Sequence, residues 1–158
     1  MFREMRRKNQ QLPEAECIRL LKELPRGVLS LMGDGGYPYG IPIDHYYNPE
    51  DGKLYFHGGK HGHKIDAIRS CSKASFCVMD EGCRTPDSWG LYIRSVIVFG
   101  QVEILEDAAR AVEITRHLSY KYTSDRNFIE QEIQQSQKNL LVFSLTPEHI
   151  TGKLVNES

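Results

Sequence analysis

The stretch Tyr55-Phe56-His57-Gly58-Gly59-Lys60-His61-Gly62-His63-Lys64 concentrates residue types that can hold an anion. Gly58, Gly59 and Gly62 let backbone N–H groups approach a ligand closely. His63 and Lys64 fall where a helix begins, so a bound anion would meet backbone donors, a helix N-terminus and nearby cations. A phosphate suits such a cradle. The pattern is not a Walker loop, because G-x4-G-K-[ST] is absent, and no G-x-G-x-x-G follows a strand. The same residues also fit a plain glycine turn leading into a solvated basic helix, and at this level both readings stand.

His57 ends a strand-like run, where an imidazole serves either as a hydrogen-bonded rim residue or as a proton donor beside a ligand. His61-x-His63 with Cys83 has ligand chemistry that zinc accepts. Cys17, Cys71, Cys77 and Cys83 match no paired C-x2-C spacing, however, so no metal is expected and the thiols read as reduced packing residues. Ser88 lacks a surrounding G-x-S-x-G, which sets serine hydrolysis aside. Trp89, Tyr92 and Arg94 read as core or subunit packing. His45, His117 and His149 show no partner and read as structural or solvated.

The scaffold for these groups is one domain: 158 residues, 40% hydrophobic, suffice for a single core, expected over roughly residues 13–153. Twenty Lys+Arg against 21 Asp+Glu leave a net charge of −1, so neither nucleic acid nor membrane is an expected partner. The basic N-terminus lacks an apolar signal core, and no apolar run approaches the roughly 20 residues of a spanning helix, so a soluble cytoplasmic protein is expected.

Cys17, Leu20, Leu21 and Leu24 fall at helical spacing and predict a helix over Pro13–Leu24, with Pro13 in its first turn and Pro25 as its stop. Gly27–Met32, Tyr37–Tyr47 and Lys53–His57 then read as three antiparallel strands in a meander. A short helix ending near Ser70, a strand over Ala74–Met79 and a polar loop to Asp87 follow. A long strand from Trp89 to Leu105 includes Val96-Ile97-Val98-Phe99, whose lack of alternation predicts burial on both faces, as at a subunit interface. Asp107 is placed to cap a helix through Leu118, a second helix spans Asp125–Gln135, and Asn139–Leu145 forms a last strand closed by Thr146-Pro147. Six strands without β-α-β alternation predict an antiparallel barrel.

Tyr37-Pro38-Tyr39-Gly40-Ile41-Pro42-Ile43, Leu54-Tyr55-Phe56-His57-Gly58, Gly62-His63-Lys64-Ile65-Asp66 and Ser95-Val96-Ile97-Val98-Phe99-Gly100-Gln101-Val102 occur in an order that resembles the NimA-like, 5-nitroimidazole-resistance branch of the pyridoxamine 5′-phosphate oxidase-like family. The resemblance covers roughly residues 5–153. It implies a mainly β, six-stranded antiparallel split barrel with flanking helices, working as a homodimer with FMN or FAD between subunits. Ile41, Pro42, Ile43 and Asp44 would line the flavin ring, partly through backbone groups. His57 and Gly58 would stand beside the cofactor, His63 and Lys64 would bind its phosphate, and Ser95 would lie near its ribityl-phosphate tail.

Two departures shape the expected activity. His63-Lys64 stands where the oxidases carry an Arg-Lys pair, and an imidazole of ordinary pKa near 6.5 is only partly charged at pH 7, so flavin affinity is expected to weaken as pH rises. Glu148-His149-Ile150-Thr151-Gly152-Lys153 lacks the Arg-His substrate segment of those oxidases, so vitamin B6 oxidation is not the expected activity. The resemblance instead implies a flavin-dependent reductase acting on a small aromatic or nitro compound, with His57 as a candidate proton donor. The alternative is a flavin- or haem-binding protein without turnover, acting in storage, sensing or electron relay, because fold alone does not choose the ligand.

Overall fold

The computed structural model describes residues 1–87 and 89–156; Ser88, and with it the hydrolase question, lies outside the described residues. Helix α1 (Glu14–Glu23) follows Pro13, which sits one residue outside as the N-cap, and buries Cys17, Leu20 and Leu21 as the spacing requires. Strands β1 (Arg26–Met32), β2 (Pro38–Asp44), β3 (Tyr46–Tyr47) and β4 (Leu54–Gly59) come next, then α2 (His63–Ser70), β5 (Lys73–Met79), β6 (Cys83–Arg84) and β7 (Leu91–Ile104). Helices α3 (Ala108–Tyr120) and α4 (Arg126–Ser136) precede the final strand β8 (Leu140–Asn156). The six expected strands are present, joined by the two-residue β3 and β6.

All strands lie in one antiparallel sheet, in the order β2-β1-β5-β7-β8-β4-β3 with β6 on β7, curled into a split barrel. The β1–β2 hairpin forms as expected, from Arg26 opposite Asp44 to Met32 opposite Pro38. The second pairing of the expected meander forms only at the end of its middle strand, where Tyr46 and Tyr47 of β3 face Tyr55 and Leu54 of β4. The second edge of β1 is taken by β5, and the other edge of β4 pairs along its whole length with β8, from Leu54 opposite Leu145 to Gly59 opposite Leu140. That arrangement points the inward residues of opposite walls at one another. Phe56, Phe76 and Phe143 are fully buried; Phe56 lies 5.3 Å from Phe143 in a stack and 5.2 Å from Phe76 edge to face.

Pro147 does not end the last strand. Gly100 faces Pro147 and Phe99 faces His149, leaving Glu148 as an extra residue in a bulge where a proline without an N–H is tolerated. Gly100 is required there, because a Cβ would sit 2.1 Å from the Thr146 carbonyl oxygen.

Val96 and Val98 are fully buried, whereas Ile97 and Phe99 alternate outward and are about 40% exposed on the single chain, so the expected burial on both faces is met only on the inner one. Trp89 is exposed rather than in the core, and Arg94 pairs with Glu16 and Asp80. Between β7 and β8 the chain forms the α3–α4 pair. Asp107 and Asp125 accept hydrogen bonds from the Arg110 and Phe128 backbone N–H groups at their N-termini, and Arg116 bridges to Glu130. Among the described residues, no helix is long and apolar enough to cross a membrane.

Candidate functional site

Strand β4 builds the site by alternation. Leu54 and Phe56 enter the main core with Gly58 next on that side, whereas Tyr55 packs with Ile114 of α3 and Val142, and His57 continues that opposite row. Gly58 makes room for Lys64: a Cβ at this position would lie 2.7 Å from the lysine Nζ. The Lys64 ammonium reaches back from the first turn of α2 to within 5.6 Å of the Phe143 ring centre, and burial holds its pKa below the ordinary lysine range. Among the described residues no carboxylate pairs with it.

Gly62 starts α2 with φ 110°, a conformation that favours glycine, and neither Gly59 nor Gly62 has a neighbour within 4 Å of where a Cβ would stand. The open turn, the first-turn N–H groups of α2 and a half-buried cation therefore lie together. His63 departs from this group. Its ring stacks on Tyr39 at 4.0 Å, and its Nε2 lies 3.7 Å from the Asp34 carboxylate. The two residues of the His63-Lys64 pair thus face different neighbours, and Lys64 is the one without an anion.

His57 stands at the rim between Asp44 and Lys64. Burial by its surroundings lowers its pKa, Asp44 raises it and Lys64 lowers it. Asp44 also accepts a hydrogen bond from Arg26 Nε at 2.6 Å. His57 and Asp44 divide two clefts. The smaller, of about 280 Å³, includes Arg26, Pro42 and Ile43; the larger, of about 530 Å³, opens between the barrel rim and the α3–α4 pair.

The other predicted positions separate. Ile41 and Ile43 turn their side chains to the core, leaving backbone groups as their means of contact with a ligand, while Pro42 and Asp44 alternate outward. Ser95 lies on the outer face, three strands across the sheet from Asp44, in a cleft with Phe2, Ile97, Phe99, His149 and Lys153. Within one chain, Ser95 is therefore not brought to Lys64. His61, His63 and Cys83 form no metal centre: among the described residues no three His, Cys, Asp or Glu side chains converge on a common point.

The sequence reading missed the residues of the large cleft and those that fix the helix pair. His45, expected to be structural or solvated, is structural: it is fully buried with Nε2 2.7 Å from the Leu21 carbonyl oxygen, a partner that its spacing does not reveal, and burial pushes its pKa down to about 4. Lys121 Nζ donates to the His45 carbonyl at 2.9 Å, and burial brings that lysine down to about 8. Tyr122, Phe128 and Glu132 line the cleft, with Tyr122 donating to the Pro25 carbonyl. An apolar residue at helical spacing looks the same whether it faces the core or a cleft, so periodicity carried no signal for these positions.

The split antiparallel barrel with its inserted helix pair defines the class of fold. A family model described as pyridoxamine 5′-phosphate oxidase matches residues 13–154, and the chain belongs to that family. No curated protein matches. Among solved structures, a Bacteroides thetaiotaomicron protein provisionally assigned to 5-nitroimidazole antibiotic resistance is similar with a TM-score of 0.78 and 18% identity, over 92% of this chain and 87% of that one. An FAD-binding protein from Mesorhizobium loti has a TM-score of 0.64 and 22% identity, over 92% and 97% of the two chains. An FAD- and haem-binding protein from Mycobacterium smegmatis has a TM-score of 0.73 and 21% identity, over 94% and 74%. At these identities the similarity establishes the shared fold.

Proposed function

We propose that this chain binds a flavin, FMN or FAD, and works as a homodimeric reductase of a small aromatic or nitro compound such as a 5-nitroimidazole. The observation that carries the reading is Lys64, a half-buried cation without a carboxylate partner, held over Gly58 beside an open glycine turn. These residues fit the phosphate of a flavin, and the FAD-binding neighbours of the same fold support that ligand. A bound flavin would supply the transfer of reducing equivalents. In this reading Lys64 anchors the phosphate, backbone groups of Ile41 to Asp44 orient the ring, and His57 exchanges a proton at an imidazole nitrogen.

Lys64→Ala is expected to weaken flavin binding by about 1.5–3 kcal/mol, roughly 10- to 150-fold, the range of a charge-assisted contact. Fluorescence titration with FMN and with FAD measures this, and unchanged affinity would remove Lys64 from the phosphate site. The homodimer is supported by the apolar outer face of the sheet, where Val28, Met32, Met79, Ile97 and Phe99 are exposed. Light scattering is expected to give twice the chain mass, and Ile97→Glu to reduce it to the monomer; a wild-type monomer at working concentration would contradict the dimer.

Flavin or haem binding without turnover is the second reading, favoured by the Mycobacterium smegmatis neighbour described as binding both groups. Bleaching by NADH or NADPH and recovery with a nitroaromatic would support the reductase. Bleaching by dithionite alone would support the binding protein.

A further inference from the structure

The large cleft between the barrel rim and the α3–α4 pair has a chemistry of its own. Its walls are Leu118, Ile129, Ile133 and Leu140, and the half-exposed rings of Tyr122 and Phe128 line it as well. At about 530 Å³ it is in the size range of small-molecule sites. It touches the rim at Asp44, His57 and Gly58.

The polar groups of the cleft are mostly committed. Thr115 donates to the Ala111 carbonyl at 2.8 Å, Ser119 to Thr115 at 2.8 Å and Ser136 to Glu132 at 2.6 Å, while Tyr122 donates to Pro25. Thr123 Oγ1 accepts from the Asp125 N–H at 3.2 Å, and Asp44 is held by Arg26. Among the described residues, the Glu132 carboxylate, the Asn139 side-chain amide and, at the rim, the His57 imidazole are left without a hydrogen-bond partner, and no lysine or arginine lines the cleft. The one uncommitted formal charge is therefore negative. At the α3–α4 end, away from Lys64 and Gly58, a phosphorylated nucleotide or a carboxylic acid would lose its hydration and meet no lysine or arginine.

We infer that this cleft binds a small, largely apolar aromatic molecule that is uncharged or carries a cationic amine directed at Glu132. Its use as the acceptor pocket rests on the proposed flavin reading; the binding itself does not. The apolar walls and aromatic side chains take the flat body of the ligand, and Glu132 with Asn139 selects its polar end.

The test uses the full chain without added flavin and three probes of one shape: para-nitrobenzylamine, para-nitrobenzyl alcohol and para-nitrobenzoate, with calorimetry for affinity. The amine is expected to bind about 5- to 10-fold more tightly than the benzoate, with the alcohol between them. Glu132→Gln should compress that order and Glu132→Lys reverse it. Ser119→Trp should abolish binding of all three by filling the cleft, and Ser136→Trp is the substitute if circular dichroism shows that the first variant is unfolded. Benzoate binding as tightly as the amine, an order unchanged in Glu132→Lys, or undiminished binding in a folded tryptophan variant would overturn the inference. Flavin titration of the wild-type chain is read separately, so probe binding without flavin binding would remove the reductase and leave the cleft assigned.

Discussion

Phe56→Ala is expected to lower folding stability by about 3–5 kcal/mol, the range for truncating a fully buried phenylalanine. Phe56 is completely inaccessible, and its ring touches both Phe143, at 5.3 Å, and Phe76, at 5.2 Å. Removing it takes apolar surface out of burial and leaves a void between strands β4, β5 and β8, whose backbone pairing limits collapse around the gap. The effect also reaches the site. Phe143 lies beneath the Lys64 ammonium, and Gly58, which makes room for that ammonium, is two residues further along the strand. A relaxed Phe143 would loosen the anchor for an anion even where the barrel remains folded. Urea denaturation measures the first effect, and a loss below about 1 kcal/mol would mean that the three-ring stack is not a stabilising centre of the barrel.

Acidification from about pH 6.5 to pH 4 is expected to remove on the order of 3 kcal/mol through His45 alone. The sign follows from the shift. In the unfolded chain this imidazole takes up its proton near 6.5, whereas burial in the folded chain delays protonation to about 4. Between those values the unfolded state binds the additional proton, so the contribution is fully present above 6.5 and is lost as pH falls through the folded value. Lys121 pushes His45 in the same direction as burial, while Asp44 and the Leu21 carbonyl oppose it. The structural consequence is specific, because His45 joins α1, through Leu21, to Lys121 at the end of α3. Acid should therefore weaken the hold on the helix pair. Denaturation of the wild type and His45→Gln across this pH range tests the claim by the difference in slope; parallel curves would show that another group governs acid sensitivity.

Local order was legible in the sequence wherever neighbouring residues determine it. The stripe of Cys17, Leu20 and Leu21 predicts α1, Asp107 predicts the start of α3, and the turn residues separate the strands. The short β3–β4 pairing follows from sequence neighbourhood, whereas the pairing of Leu54–Gly59 with β8 was not legible, because it depends on contacts about 80 to 90 residues distant in sequence. Pro147 misled for a related reason: a proline ends a strand unless a bulge receives it, and this bulge is built by Gly100 on another strand. Within the candidate site, the glycines and Lys64 were readable from type and spacing. The turn of His63 toward Tyr39 and Asp34, and the remoteness of Ser95, follow from tertiary placement.

Whether the protein carries a flavin is decided by an absorbance spectrum of the purified chain, with mass spectrometry of any ligand released by heat. The expected result is two visible flavin bands and FMN or FAD equimolar with the chain, either as isolated or after the cofactor is added back. A single intense Soret band, or no bound chromophore after both flavins are supplied, would contradict it.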